Sequence, residues 1–151
     1  MRVLVNVLVG LMVLALTVGE ARAICFFSCD PSEANARTVV ENQMRARFPT
    51  AQFKISSFRK TDGRKINFAG MEAYQLFYSA TFEFPNGFAS RDASIMEKTN
   101  IQSQLMRLVS VGGYRLTKGD MIWDYTVLEA HSSTVFEKSE KGWRGEDGLV
   151  Y

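Results

Sequence analysis

The 151-residue chain carries 18 Lys+Arg against 16 Asp+Glu, a formal net charge of +2. That balance excludes recognition of a polyanion by overall charge alone. The length suits one domain with a self-sufficient core, and no repeat or low-complexity tract divides it.

Met1-Arg2 supplies one positive charge, and residues 3–18 are apolar apart from Asn6, Gly10 and Thr17. Ala21-Arg22-Ala23 then offers small residues at the two positions a signal peptidase reads. Charge, apolar run and small-x-small site in that order predict a secretory signal peptide over 1–23. The apolar run, 16 residues, falls short of the roughly 20 that span a bilayer core, which disfavours a retained anchor. Ile24 before Cys25 does not suit a bacterial lipid-attachment site. Residues 24–151 then form a single domain with 16 basic and 15 acidic residues. Cys25 and Cys29, the only cysteines, are expected to pair in an oxidising compartment. The loop they close is tiny, so the bridge would pin the N-terminal arm rather than hold the fold.

Asp30-Pro31-Ser32-Glu33 reads as a helix start, with Asp30 as cap, Pro31 at the first helical position and Glu33 completing a capping box. Ala36, Val40, Met44 and Phe48 recur every fourth residue, widened by Val39, and Pro49 stops the helix, giving 31–48. Phe53, Ile55 and Phe58 mark a first strand whose phase slips once, as a bulge allows, and Thr61-Asp62-Gly63 reads as its turn. Residues 72–84 give the clearest strand. Tyr74, Leu76, Tyr78, Ala80, Phe82 and Phe84 face one way, while Gln75, Phe77, Ser79, Thr81 and Glu83 face the other. Such alternation predicts an antiparallel sheet covered on one side and mostly wet on the other.

Pro85-Asn86-Gly87 ends that strand. Ile101, Leu105 and Leu108 fit a second, short helix with Asn100 as cap and Gly112-Gly113 as terminator. Thr117-Lys118-Gly119-Asp120 reads as a turn. A β segment follows over 121–128, with Met121, Trp123, Tyr125 and Val127 on one face. Ser132-Ser133 suggests a bend before strand character resumes over 134–138. Ser139-Glu140-Lys141-Gly142 then reads as the loop of a closing hairpin, with Trp143 packing on the sheet and Gly145 and Gly148 bending the last strand. The fold class expected is α+β: an N-terminal helix across an antiparallel sheet, with one further helix inserted.

FRKTDGRKINFAGMEAYQLFYSATFEFPNG (58–87) and FEKSEKGWRGEDGLVY (136–151) resemble segments of small secreted bacterial proteins of unknown function. The order of elements also resembles cystatin-like and NTF2-like domains, which implies a long N-terminal helix packed across a curved antiparallel sheet. Many such domains carry a Gly-Trp pair on a late strand, as Gly142-Trp143 does here. The resemblance brings no activity with it. Cystatins insert a Gln-x-Val-x-Gly hairpin into proteases, and Val109-Ser110-Val111-Gly112-Gly113 lacks the glutamine. NTF2-like enzymes place Asp, His or Tyr inside a cone of helix and sheet, and no matching pair is identifiable.

No stretch carries a specific chemical signature. His131, the only histidine, lies between Ala130 and Ser132 with no catalytic motif around it and reads as a surface or turn residue. Glu72, Glu83, Asp124 and Glu129 lie on β segments. Asp124, flanked by Trp123 and Tyr125, becomes a site candidate if its face is covered. A soft-metal site from Cys25, Cys29 and His131 is outweighed by the disulfide, and neither metal nor cofactor is expected.

The best functional hint is a basic stretch: Arg45, Arg47, Lys54, Arg59, Lys60, Arg64 and Lys65, against Asp62 alone. If these converge at one end of the domain, they attract an anionic surface or an acidic protein. Phe48, Phe53 and Phe58 alternate with them as in single-strand nucleic-acid binders, yet fit the core stripe equally well, so no specific nucleic-acid signal results. The bland alternative is a solvated face balanced by Glu137, Glu140, Glu146 and Asp147. The expected function is therefore a secreted or periplasmic, non-enzymatic binding or accessory module of the cell envelope. Its partner would be an envelope protein or anionic surface, with weak homo-oligomerisation a further option. The alternatives are a small hydrolase or isomerase with a site between helix and sheet, or a membrane-tethered assembly component if the signal is uncut.

Overall fold

The computed structural model describes residues 29–119 and 122–151. The signal segment 1–23, its cleavage site, Cys25, Asp120 and Met121 lie outside the described residues. So does one half of the Cys25–Cys29 pair. Seven elements follow in order: α1 (Glu33–Arg47), β1 (Lys54–Phe68), β2 (Met71–Phe84), α2 (Ile95–Val111), β3 (Tyr114–Lys118), β4 (Thr126–Ser139) and β5 (Gly142–Gly145). Two helices and a five-stranded antiparallel sheet make an α+β domain. Among the described residues no helix is long and apolar enough to cross a membrane.

Helix α1 forms as its stripe predicts, burying Ala36, Val39, Val40 and Met44. Its cap is Ser32 rather than Asp30: the Asn35 amide donates to Ser32 Oγ at 3.2 Å, and the Ser32 amide donates back to Asn35 Oδ1 at 2.9 Å. A serine hydroxyl followed three residues later by an amide side chain closes the same reciprocal box that glutamate does. Helix α2 is longer than the short insert expected, 17 residues, and starts at a Ser94 cap well before Asn100. It buries Ile101, Leu105 and Leu108 into the same core.

Strand β2 buries Tyr74, Leu76, Tyr78, Ala80, Phe82 and Phe84, and its other face is only half-covered. Beside it, β1 runs straight through the segment read as a turn. Asp62 pairs with Phe77 and Gly63 with Leu76, and the irregularity between Lys60 and Asp62 is a bulge. Gly63 is there because the Tyr74 ring lies over it, leaving no room for a Cβ. The reversal comes later, at Ala69 and Gly70, both at positive φ.

The strand order is β1-β2-β4-β3, with β5 also on β4. Because β2 occupies one edge of β4 along most of its length, β3 and β5 share the other edge. There β3 covers residues 127–130 and β5 covers 136–139. Between them, residues 131–135 have no strand alongside, leaving a notch of about 16 Å in the sheet edge. Two expectations fail on this strand. Trp123 and Asp124 sit in a turn before β4 rather than on a strand, and Ser132-Ser133 continue the ladder, opposite Tyr78 and Phe77, rather than bending.

Candidate functional site

The seven cations of the basic stretch do not meet at one end. Lys54 and Lys65 lie eleven residues apart on one strand, about 36 Å. Most are already engaged. Arg45 pairs with Glu41 at 2.7 Å, Lys54 with Glu83 at 2.9 Å and Lys65 with Asp30 at 3.7 Å. The Lys60 ammonium donates to the Tyr74 hydroxyl at 3.0 Å, and Arg64 donates to Gln75 while lying over the Phe77 ring. Arg59 points to the open face of the sheet, opposite Ser79. The Lys54–Glu83 contact raises the pKa of the ammonium and lowers that of the carboxylate, its hydrogen bond being the largest cause for each. Exposed pairs of this kind contribute little stability.

The acidic residues expected to balance this stretch are placed elsewhere. Asp147 accepts from Asn42 at 2.8 Å and from the Tyr151 hydroxyl at 2.6 Å, while Glu146 accepts from Gln43 at 3.1 Å. They tie the C-terminal segment to α1. Phe48 is fully buried, tilted against Phe88 at 4.9 Å, and Phe58 stacks on Tyr78 at 5.1 Å, so these rings belong to the core.

The carboxylates on β segments are not brought together. Glu129 pairs with Arg115 at 3.1 Å, and Glu72 is exposed. Asp124 pairs with Arg91 at 2.8 Å in a surface cleft, its side chain 45% exposed, so the covered face that would have made it a site is missing. His131 stands on the open face opposite Ser79. Cys29 lies at the other end of β4, its carbonyl accepting from the Trp143 indole at 2.8 Å. Among the described residues no cluster of His, Cys, Asp and Glu is arranged to hold a metal.

What the fold does assemble is a cavity of about 840 Å³ between α1, α2 and the sheet. One wall is Gln43, Met44 and Arg47, the last turns of α1. A second is the polar stripe of α2, Asn100, Ser103, Gln104 and Arg107, spaced so that one helical face carries all four. The floor is Tyr78 and Tyr114, whose hydroxyls lie 2.8 Å apart and are buried. Ser132 and Ser133, in the notch of β4, complete it. Glu146 Oε2 accepts from Thr134 at 2.8 Å on the remaining side. A shallower depression of about 390 Å³ shares Tyr78, Ser132 and Ser133 and reaches through the notch toward His131.

Burial raises the pKa of both tyrosines, and the mutual Tyr78–Tyr114 contact adds to the rise at Tyr78. Both therefore stay neutral, able to donate and accept hydrogen bonds but not to act as phenolate bases near neutral pH. Arg47 acts the other way on Tyr114, its positive charge favouring the phenolate.

None of the lining residues except Arg47 was a candidate from sequence. The α2 stripe looks like an ordinary solvated face, and Tyr78 and Tyr114 look like core. Only the long-range pairing of β2 with β4 and β3 with β4 puts the two hydroxyls in contact. The chain matches no protein-family model, no curated protein and no solved structure.

Proposed function

We propose that this chain is an exported, non-enzymatic binding module of the cell envelope whose ligand site is the cavity between the two helices and the sheet. The cystatin-like or NTF2-like reading of its architecture belongs to the same proposal, as does the Cys25–Cys29 bridge on the arm leading into α1. The observation that carries it is the cavity itself. About 840 Å³ falls in the range of small-molecule sites, and its walls mix apolar area with a few convergent polar groups. This replaces the basic stretch as the binding element, since those cations are dispersed and largely paired.

The alternative of a small hydrolase or isomerase draws on one feature, the neutral Tyr78–Tyr114 pair facing the same cavity as Glu146. Against it, Glu146 already accepts two hydrogen bonds, and no lining group is an activated nucleophile.

The test uses the neutral fluorophore N-phenyl-1-naphthylamine. It should bind one-to-one with enhanced emission, and Ser103→Trp, an exposed lining position on α2, should block it. No enhancement with the folded native protein removes the pocket reading. The export half is checked by intact mass of the cell-derived protein: a chain starting at Ile24 supports it, and one retaining residues 1–23 removes it.

A further inference from the structure

Two arginines line the cavity, and neither finds a partner there. Arg47 closes α1 and Arg107 lies on α2, both exposed, and neither guanidinium makes a hydrogen bond or ion pair among the described residues. The one carboxylate in the lining forms an ion pair with neither of them. Glu146 spends Oε2 on the Thr134 hydroxyl at 2.8 Å and the Gln43 amide at 3.1 Å. The lining thus carries two guanidinium charges against one engaged carboxylate. A guanidinium is planar, always charged and suited to bidentate contact with a carboxylate, phosphate or sulfonate.

Apolar surface lies beside these cations. Met44 and Leu108 back the wall from the core, 1% and 3% exposed, and Val111 lines the cavity while 87% exposed, which leaves an aliphatic group in water at its rim. We propose that the cavity selects an amphiphilic anion: Arg47 and Arg107 hold a carboxylate, phosphate or sulfonate headgroup, and Val111 at the rim receives an apolar body.

This rests on the pocket reading above and adds the charge and shape of the ligand. A cationic ligand would face two guanidinium groups with only a committed carboxylate to offset them. A polyanion such as nucleic acid exceeds the cavity and finds no aromatic stacking platform, because Phe48 and Phe58 are packed inward. The neutral tyrosine pair and Gln104 supply further hydrogen-bonding groups without adding charge.

The experiment compares two probes that share their fused and phenyl rings and differ in charge, N-phenyl-1-naphthylamine and 8-anilinonaphthalene-1-sulfonate. The sulfonate should bind tighter, by about 10- to 100-fold if one or two charge-assisted hydrogen bonds form. Arg47→Gln and Arg107→Gln should each lower its affinity by about 10-fold and that of the neutral probe far less, so that the ratio between the two falls. Decanoate should displace the sulfonate probe better than decanol does. Unfolding midpoints of both variants confirm that they fold. If the neutral probe binds the native protein as tightly as the sulfonate, or the arginine variants hold the sulfonate as tightly as the native protein does, selectivity for anions is wrong while the pocket stands. If neither probe binds the native protein, both readings fall.

Discussion

Ala69 holds φ at +51°, a left-handed conformation that a Cβ disfavours, and Gly70 follows at +84°. Together they form the two-residue turn joining β1 to β2, and the Asn67 side chain accepts from the Gly70 amide at 2.9 Å. Asparagine tolerates this region far better than alanine. Ala69→Asn should therefore stabilise the protein by about 1 kcal/mol, read as a higher urea midpoint at unchanged slope. A lower midpoint would mean that the turn differs from this geometry. Gly145 shows the opposite constraint. A Cβ there would lie 2.5 Å from Val39 Cγ2 and 2.8 Å from Asp147 Oδ1, between the last strand and α1. Gly145→Ala should cost about 1–3 kcal/mol by overpacking, checked in the same unfolding assay. The sequence suggests a bend at Gly145 and a turn at Gly63, whereas at both a side chain lies where a Cβ would be. Glycine marks a close approach as readily as a reversal, and only the long-range partner, here Tyr74, decides which.

At the level of elements, the C-terminal hairpin is a clamp. Strand β5 pairs with the end of β4, the Trp143 amide donates to the Tyr151 carbonyl at 3.1 Å, and the Tyr151 amide donates back at 2.8 Å. Asp147 joins this unit to Asn42 of α1. Burial works to raise its pKa, but hydrogen bonds from Tyr151, Asn42 and the Leu149 amide outweigh it and hold the carboxyl below its usual value. The sign follows directly: a depressed folded pKa gives stability that is present above the unfolded value, near 3.9, and lost as pH falls through the folded one. Urea midpoints followed from about pH 6 to pH 3 should decline more steeply for the native protein than for Asp147→Asn. Identical slopes would remove the clamp from the acid response. The hairpin and both helices were legible because each carries local signals, a glycine after a polar loop and an apolar stripe of helical spacing, whereas both caps lie elsewhere than expected, at Ser32 and Ser94. The path of β4 was not. Paired serines and a flanking Trp-Asp-Tyr look like a bend and a strand, whereas pairing with β2 over residues 126–137 overrides local preference.

For the whole molecule, the core and the cavity make separate demands on the same helices. Leu108 and Arg107 are neighbours on α2: Leu108, 3% exposed, only backs the cavity wall from the core, whereas the Arg107 guanidinium lines it without a partner. If Arg47 and Arg107 serve a ligand, they do little for the empty fold: neither guanidinium has a partner, and only Arg47, in the last turn of α1, gains a few tenths of a kcal/mol from the helix end. Replacing either with methionine keeps the aliphatic stem, so stability should stay within about 1 kcal/mol of the native value. Leu108→Ala, one residue away, should cost about 2–5 kcal/mol through the void it leaves. Such unequal effects at adjacent positions separate a site from a scaffold, because residues kept for binding are free of the folding energetics that fix the core. The measurement is chemical unfolding of the three variants side by side. Arginine variants that lose as much as Leu108→Ala would show these side chains bracing the helices against the sheet, and the cavity would then be a gap in packing with no ligand to explain its charge.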